Sequence, residues 1–189
     1  MTALLAALAG CPGTAPRTDE QSARKSQTRL DLARDFLSKR QIEPAETEAG
    51  KAIALDPNNE EAHQLLGLID LLRGLDAQHL LEIEECLSGV DADALRAEKD
   101  GYLAAAELHF AQAVTIDPEY GESWATRGLV AMLLTRYDNA VEYLTRALGL
   151  PARINNIPTV RANLGWAYFL DDELISAAKE LRQALQFSP

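Results

Sequence analysis

Ala52-Ile53-Ala54-Leu55-Asp56-Pro57 returns later in the chain as Ala113-Val114-Thr115-Ile116-Asp117-Pro118 and again as Ala184-Leu185-Gln186-Phe187-Ser188-Pro189. Each copy reads as the last turns of an amphipathic helix stopped by proline, which has no amide hydrogen with which to continue the ladder. Ala147-Leu148-Gly149-Leu150-Pro151 is a fourth, shortened copy. Upstream of each stop stands a small residue, Ala45, Ala106, Ala140 or Ala177, followed four positions on by Ala49, Phe110, Leu144 or Leu181. One helix earlier a second small position recurs as Leu32-Ala33, Leu66-Gly67, Arg127-Gly128 and Leu164-Gly165, with Phe36, Ala131 and Tyr168 three residues further. Small residues at fixed places on two successive helices predict close helix pairs that repeat along the chain.

Together these phrases resemble the tetratricopeptide repeat (TPR), whose second helix carries Ala, a large apolar residue, Ala and then Pro, and whose Trp slot is filled by Trp124 in the third copy. Two residues depart from that pattern: Arg127 replaces the usual Leu, and Asp70 occupies the aromatic slot. The resemblance implies an all-α TPR superhelix, an α-solenoid of antiparallel helix pairs. Ala33 to Gly67 and Ala106 to Ala140 are each 34 residues, the TPR period, whereas Gly67 to Gly128 and Ala45 to Ala106 are each 61. Repeat two therefore carries 27 additional residues between its helices, and the 37-residue step from Ala140 to Ala177 places three more between repeats three and four. The boundaries that follow are a TPR at 26–59, a second at 60–120 with its insertion at 74–100, a third at 121–154 and a fourth at 158–189. Within the insertion Leu72, Leu75, His79, Ile83 and Cys86 recur at helical spacing, Ser88-Gly89 breaks the pattern, and Asp91 or Asp93 can cap a new helix. An elongated helical hairpin is expected, each helix longer by about 13 residues, or roughly 20 Å; a short separate element folded back on the array is the alternative. The array stops at Pro189 without a polar capping helix, which reads as a truncated array or an end covered by a partner.

Composition agrees with helices: only 6% of residues are aromatic, and Ala, Leu, Glu and Arg dominate. Eighteen Lys and Arg against 29 Asp and Glu leave a net charge of -11, which repels phosphate backbones and excludes nucleic acid as a partner class. The three histidines, His63, His79 and His109, show no metal-ligand spacing, and the chain has no HExxH, GxSxG or Gly-rich phosphate loop. Asp171-Asp172-Glu173 lacks the spaced oxygens and Gly of an EF-hand and reads as an acidic turn. No enzyme, cofactor, metal or small-molecule substrate is expected.

Residues 1–10, MTALLAALAG, form an uncharged apolar run too short to span a membrane, and Cys11 follows it. Leu8-Ala9-Gly10-Cys11 resembles a bacterial lipobox, implying cleavage before Cys11 and lipidation of its thiol; the other reading is a hydrophobic N-terminus with an incidental Cys. With no positively charged n-region ahead of the run, a true start upstream of Met1 is an expectation. Residues 11–25, rich in Pro, Gly, Ser, Thr and charge, read as a flexible tether with a reach of about 20 Å. Pro12 rather than Asp after the Cys implies outer-membrane sorting. Cys86, among apolar neighbours, reads as a small core residue with no disulfide partner.

Projection of the helical faces from the Leu-Gly contact points places Leu30, Leu37, Leu68, Leu71, Leu129, Met132, Trp166 and Phe169 on or near a concave groove, or else in the core between helices. An apolar groove suits an extended peptide or an amphipathic helix. The basic groove of chaperone-binding TPR proteins is absent from the first two repeats.

Lipobox, tether and TPR array together resemble the pilotins of type IV pili, the PilF, PilW and Tgl group, with the enlarged second repeat closest to the Tgl branch of gliding myxobacteria. That resemblance implies an outer-membrane lipoprotein, anchored on the periplasmic face, that binds secretin subunits and promotes their insertion and multimerisation. A scaffold of another envelope assembly machine, or a cytoplasmic TPR scaffold with Cys11 unmodified, are the alternatives.

Overall fold

The computed structural model describes residues 19–83 and 90–186. Cys11 and the segment before Asp19, Cys86 with the Ser88-Gly89 break, and the last proline stop at Pro189 lie outside the described residues. Among the described residues the chain is all helix: α1 (Glu20–Ser38), α2 (Ile42–Leu55), α3 (Glu60–Ile83), α4 (Val90–Ile116), α5 (Gly121–Leu133), α6 (Tyr137–Leu148), α7 (Ile157–Leu170) and α8 (Leu174–Gln186), with a 3-10 turn at Pro151–Arg153 in the three-residue insertion. Consecutive helices pair as α1/α2, α3/α4, α5/α6 and α7/α8, and the second helix of each pair packs on the first helix of the next. The chain is an α-solenoid of TPR type. First helices also touch along the array, α1 to α3, α3 to α5 and α5 to α7. The array therefore curves with the first helices on its inner face.

The small positions are small because a large side chain of the partner helix fills the space. A Cβ on Gly67 would lie 2.6 Å from Phe110, one on Gly128 2.6 Å from Leu144, and one on Gly165 2.7 Å from Leu181. In repeat one the corresponding residues are Ala33 and Ala49, both fully buried in one cluster, so a slightly larger residue on one helix meets a smaller one on the other.

Helix ends follow the sequence closely. At Asp56-Pro57 and Asp117-Pro118 the aspartate carboxylates accept from the amides of Asn58 and Glu119, at 3.1 and 2.9 Å, and close the same turn twice. Asp19 caps α1 by accepting from the Ser22 amide at 2.9 Å, and Glu20 pairs with Arg24. Residues 20–25 thus belong to α1, which corrects the tether reading of 11–25 over that stretch: a capping Asp and an i,i+4 ion pair outweigh its polar composition.

The insertion lengthens both helices of repeat two. Helices α3 and α4 have 24 and 27 residues where α5 and α6 have 13 and 12. The hairpin projects from the array as expected, with Asp91 and Asp93 inside the first turn of α4 where they favour the helix dipole. Seven residues after the small position, repeats one, three and four turn through a left-handed residue: Arg40 at φ 58°, Thr135 at 57° and Asp172 at 61°. The matching residue of repeat two is Gly74, which stays within α3 and receives Leu103 at 2.9 Å from its would-be Cβ. One side-chain contact thereby replaces a turn. Thr135 is β-branched in a conformation that crowds its Cβ, so Thr135→Gly is expected to stabilise the fold by about 1 kcal/mol in chemical denaturation.

Candidate protein-binding face

The inner face begins polar. At the start of α3, Glu61 pairs at 2.8 Å with Arg34, which reaches it from the later turns of α1. Gln64 of α3 accepts from the fully buried Ser123 of α5 and donates to Thr126 at 3.3 Å. Glu122 accepts from the Asn155 amide at 2.9 Å. Arg34, Glu61, Gln64, Glu122 and Asn155, with Leu68 and Tyr120, border a cavity of about 200 Å³. Burial pushes the Tyr120 phenol up to about 12, so it is a neutral group there. These bonds tie α1 to α3, α3 to α5 and α5 to the segment before α7, and fix the spacing of the inner wall.

Further along the same helices the face turns apolar. Leu68, Leu129 and Met132 are half-buried, packed on the core by one side and open on the other. Leu37 is half-buried at the end of α1, beside a cavity of about 440 Å³ shared with Ile42 and Leu72. Trp166 and Phe169 stack on one another with ring centres 5.1 Å apart, yet remain 50% and 46% exposed. Two aromatic side chains half in water, one helical turn apart, are the largest uncovered rings on this face.

Two of the expected groove residues are core instead. Leu30 is fully buried against α2, and Leu71 is 5% exposed among Leu103, Phe110 and Val130. Both sit on the flank of their helix that meets the next helix rather than on the stripe facing the groove. The groove is also not apolar throughout, because Glu61, Gln64 and Glu122 line it near the starts of α3 and α5.

The structure brings together residues that sequence separation concealed. Arg127, in the usual Leu slot, donates to Glu107 of α4 at 2.9 Å, and its guanidinium lies 4.1 Å from the ring centre of Tyr143 and 5.5 Å from that of Trp124. His63 and His109 meet at 3.4 Å. The glycine-to-Phe110 register is the signal that places those two histidines within a turn of one another. Among the described residues no group of three or more His, Cys, Asp and Glu is placed to hold a metal, and no helix is long and apolar enough to cross a membrane.

Residues 121–153 match the family model described as tetratricopeptide repeat. The fold is shared with MamA (18% identity over 88% of this chain and 80% of that one, TM-score 0.62). It is shared also with PilW, a widely conserved type IV pilus biogenesis factor (21% identity, 87% of this chain and 62% of that one, TM-score 0.61). A third likeness is an O-GlcNAc transferase mutant of Thermobaculum terrenum (17% identity, TM-score 0.58), of which this chain spans 23% while 79% of this chain is covered. No curated protein sequence matches the chain. At these identities the likenesses establish the fold, and since a transferase shares it, the architecture alone decides neither partner nor chemistry.

Proposed function

We propose that this chain is a non-catalytic, lipid-anchored TPR adaptor of the pilotin kind. It binds secretin subunits on its inner face and promotes their outer-membrane insertion and multimerisation for type IV pilus assembly. The observation that carries the reading is the inner wall itself: open aromatic and aliphatic side chains, Trp166, Phe169, Met132 and Leu129, on helices held at fixed spacing by polar ties. A face of this kind fits an apolar segment of another protein, laid along it as an amphipathic helix or extended peptide. The shared fold of PilW is what directs the choice of partner toward the pilus machinery.

Trp166→Ala removes a half-exposed ring from the proposed contact and is expected to weaken partner binding tenfold or more, by about 1.5–3 kcal/mol. Met132→Glu, which places a charge where an apolar segment would lie, is expected to act similarly. Pull-down of secretin and counting of its oligomers, with circular dichroism to verify folding, is the measurement; undiminished oligomers with both variants would refute the reading. The anchor is tested separately. Cys11→Ala is expected to release the protein from the outer-membrane fraction, and unchanged fractionation together with an unmodified Cys11 thiol in mass spectra would favour a cytoplasmic scaffold.

A further inference from the structure

His63 of α3 lies almost wholly inside the array, 8% exposed, between a carbonyl of the preceding turn and a second imidazole. Its Nε2 is 3.3 Å from the Pro57 carbonyl oxygen and its Nδ1 is 3.4 Å from Nδ1 of His109 on α4. The other nitrogen of His109, Nε2, faces the Asp70 carboxylate of α3 at 3.9 Å. Asp70 is the residue that stands in the aromatic slot of the repeat, and this contact is what a polar residue does there. The ring centres of the two imidazoles are 5.7 Å apart, the separation reached when the line between the two Nδ1 atoms runs straight through both rings, which is the alignment of an N–H donating to a lone pair.

The protons in this row can be counted. A carbonyl only accepts, so His63 carries its hydrogen on Nε2 and offers a lone pair at Nδ1. His109 must then donate from Nδ1. Its Nε2 faces the Asp70 carboxylate at 3.9 Å, too long for a hydrogen bond, so the two attract as an ion pair only when the pair gains a proton. All contacts are met together only when the His109 and Asp70 pair holds one proton beyond the neutral ring and the bare carboxylate. Without that proton His109 has a single hydrogen and must leave either His63 or Asp70 facing a lone pair. A second added proton would set two N–H groups against each other at His63.

We propose that the Pro57 carbonyl, His63, His109 and Asp70 form a one-proton latch between the first and second repeats, closed while one proton resides on the His109 and Asp70 pair and opened when it leaves. The latch joins the α2–α3 turn to both helices of the projecting hairpin. The other charged groups facing it are Glu46 of α2 and Arg73 of α3, which pair at 2.6 Å, with Arg73 set 5.7 Å over the Tyr102 ring of α4.

Burial, reinforced by Glu46, raises the Asp70 carboxyl from 3.8 to about 6. A raised acid contributes stability that is complete below its unfolded value and is lost as pH rises through the folded one, so the latch opens upward through about pH 6. Burial lowers both imidazoles, His109 also through its neighbour His63. Their contribution runs the other way and is lost in stronger acid, where a second proton enters. The latch is closed in the window between.

The experiment uses the full chain and an Asp70→Asn variant, which keeps the size and polarity of the side chain without titrating. Denaturation midpoints at about pH 5.5 and about pH 8 are compared, and the imidazole nitrogens are followed by NMR across the same range. The wild-type midpoint is expected to fall relative to the variant on going to the higher pH, and the His109 nitrogen shifts to change over the range in which Asp70 titrates while His63 keeps its hydrogen on Nε2. Equal pH dependence of the two proteins would overturn the latch. If the variant does not fold, the NMR titration of the wild type decides alone: His109 titrating as an ordinary imidazole, with no change at the His63 contact, would overturn it equally.

Discussion

Phe110→Ala is expected to lower the unfolding free energy by about 3–5 kcal/mol, among the larger losses open to a single substitution in this array. Phe110 is fully buried and fills the space left by the missing side chain of Gly67, in the cluster that joins the hairpin of repeat two to α5 through Val130. Removing the ring leaves a cavity that helix backbones cannot close. The same geometry predicts a change of sign in a double-mutant cycle. Gly67→Ala alone forces a methyl to within 2.6 Å of the ring, costing about 1–3 kcal/mol and exceeding the roughly 1 kcal/mol gained in helix propensity. In the Phe110→Ala background the methyl enters the vacated space, and the substitution becomes stabilising by about 1 kcal/mol. Repeat one already uses the resulting pair, as Ala33 and Ala49. Chemical denaturation of the four proteins measures the coupling; additive effects would contradict the packing described.

Arg127→Ala is the second large effect, expected at about 2–4 kcal/mol. The guanidinium is 17% exposed and the Glu107 carboxylate 19%, and the second oxygen of that carboxylate is buried with no hydrogen-bond partner. Truncation would therefore leave a carboxylate enclosed by protein with no cation, and would strip Tyr143 and Trp124 of the charge over their rings. Glu107→Gln added to Arg127→Ala is expected to return a substantial part of the loss, because the stranded charge is gone. Equal stability of the single and double variants would show that the cost lies in the aromatic contacts.

Those two sites also divide what sequence reveals from what it does not. The small positions, the large residues opposite them and the proline stops lie at fixed distances within one helix pair, so periodicity gives the register and the 27-residue insertion, and the helical spacing inside the insertion supports a long hairpin over a separate folded-back element. A helix beginning at Glu20 was harder to read, because its capping aspartate sits in a stretch whose composition resembles a linker. Arg127 looks like a blemish in its own repeat and finds its reason in Glu107, on the preceding one. His63 and His109 stand 46 residues apart, and the insertion between them hides their contact from any short-range pattern. The inner face was legible in part: helical projection finds Leu68, Leu129, Met132, Trp166 and Phe169, yet it cannot separate a residue facing the groove from one a third of a turn away facing the next helix. Leu30 and Leu71 fall on that second side.

The central claim, that the inner face holds a protein segment, is tested most directly by site-specific photo-crosslinking in intact envelopes. A photoreactive residue at Phe169 is compared with one at Asn139, which is exposed on α6 away from that face. The expected result is a crosslink to a secretin subunit from position 169, absent from position 139 and lost when Trp166→Ala is added. Equal labelling from the two positions, or none from 169 while secretin still assembles, would contradict it.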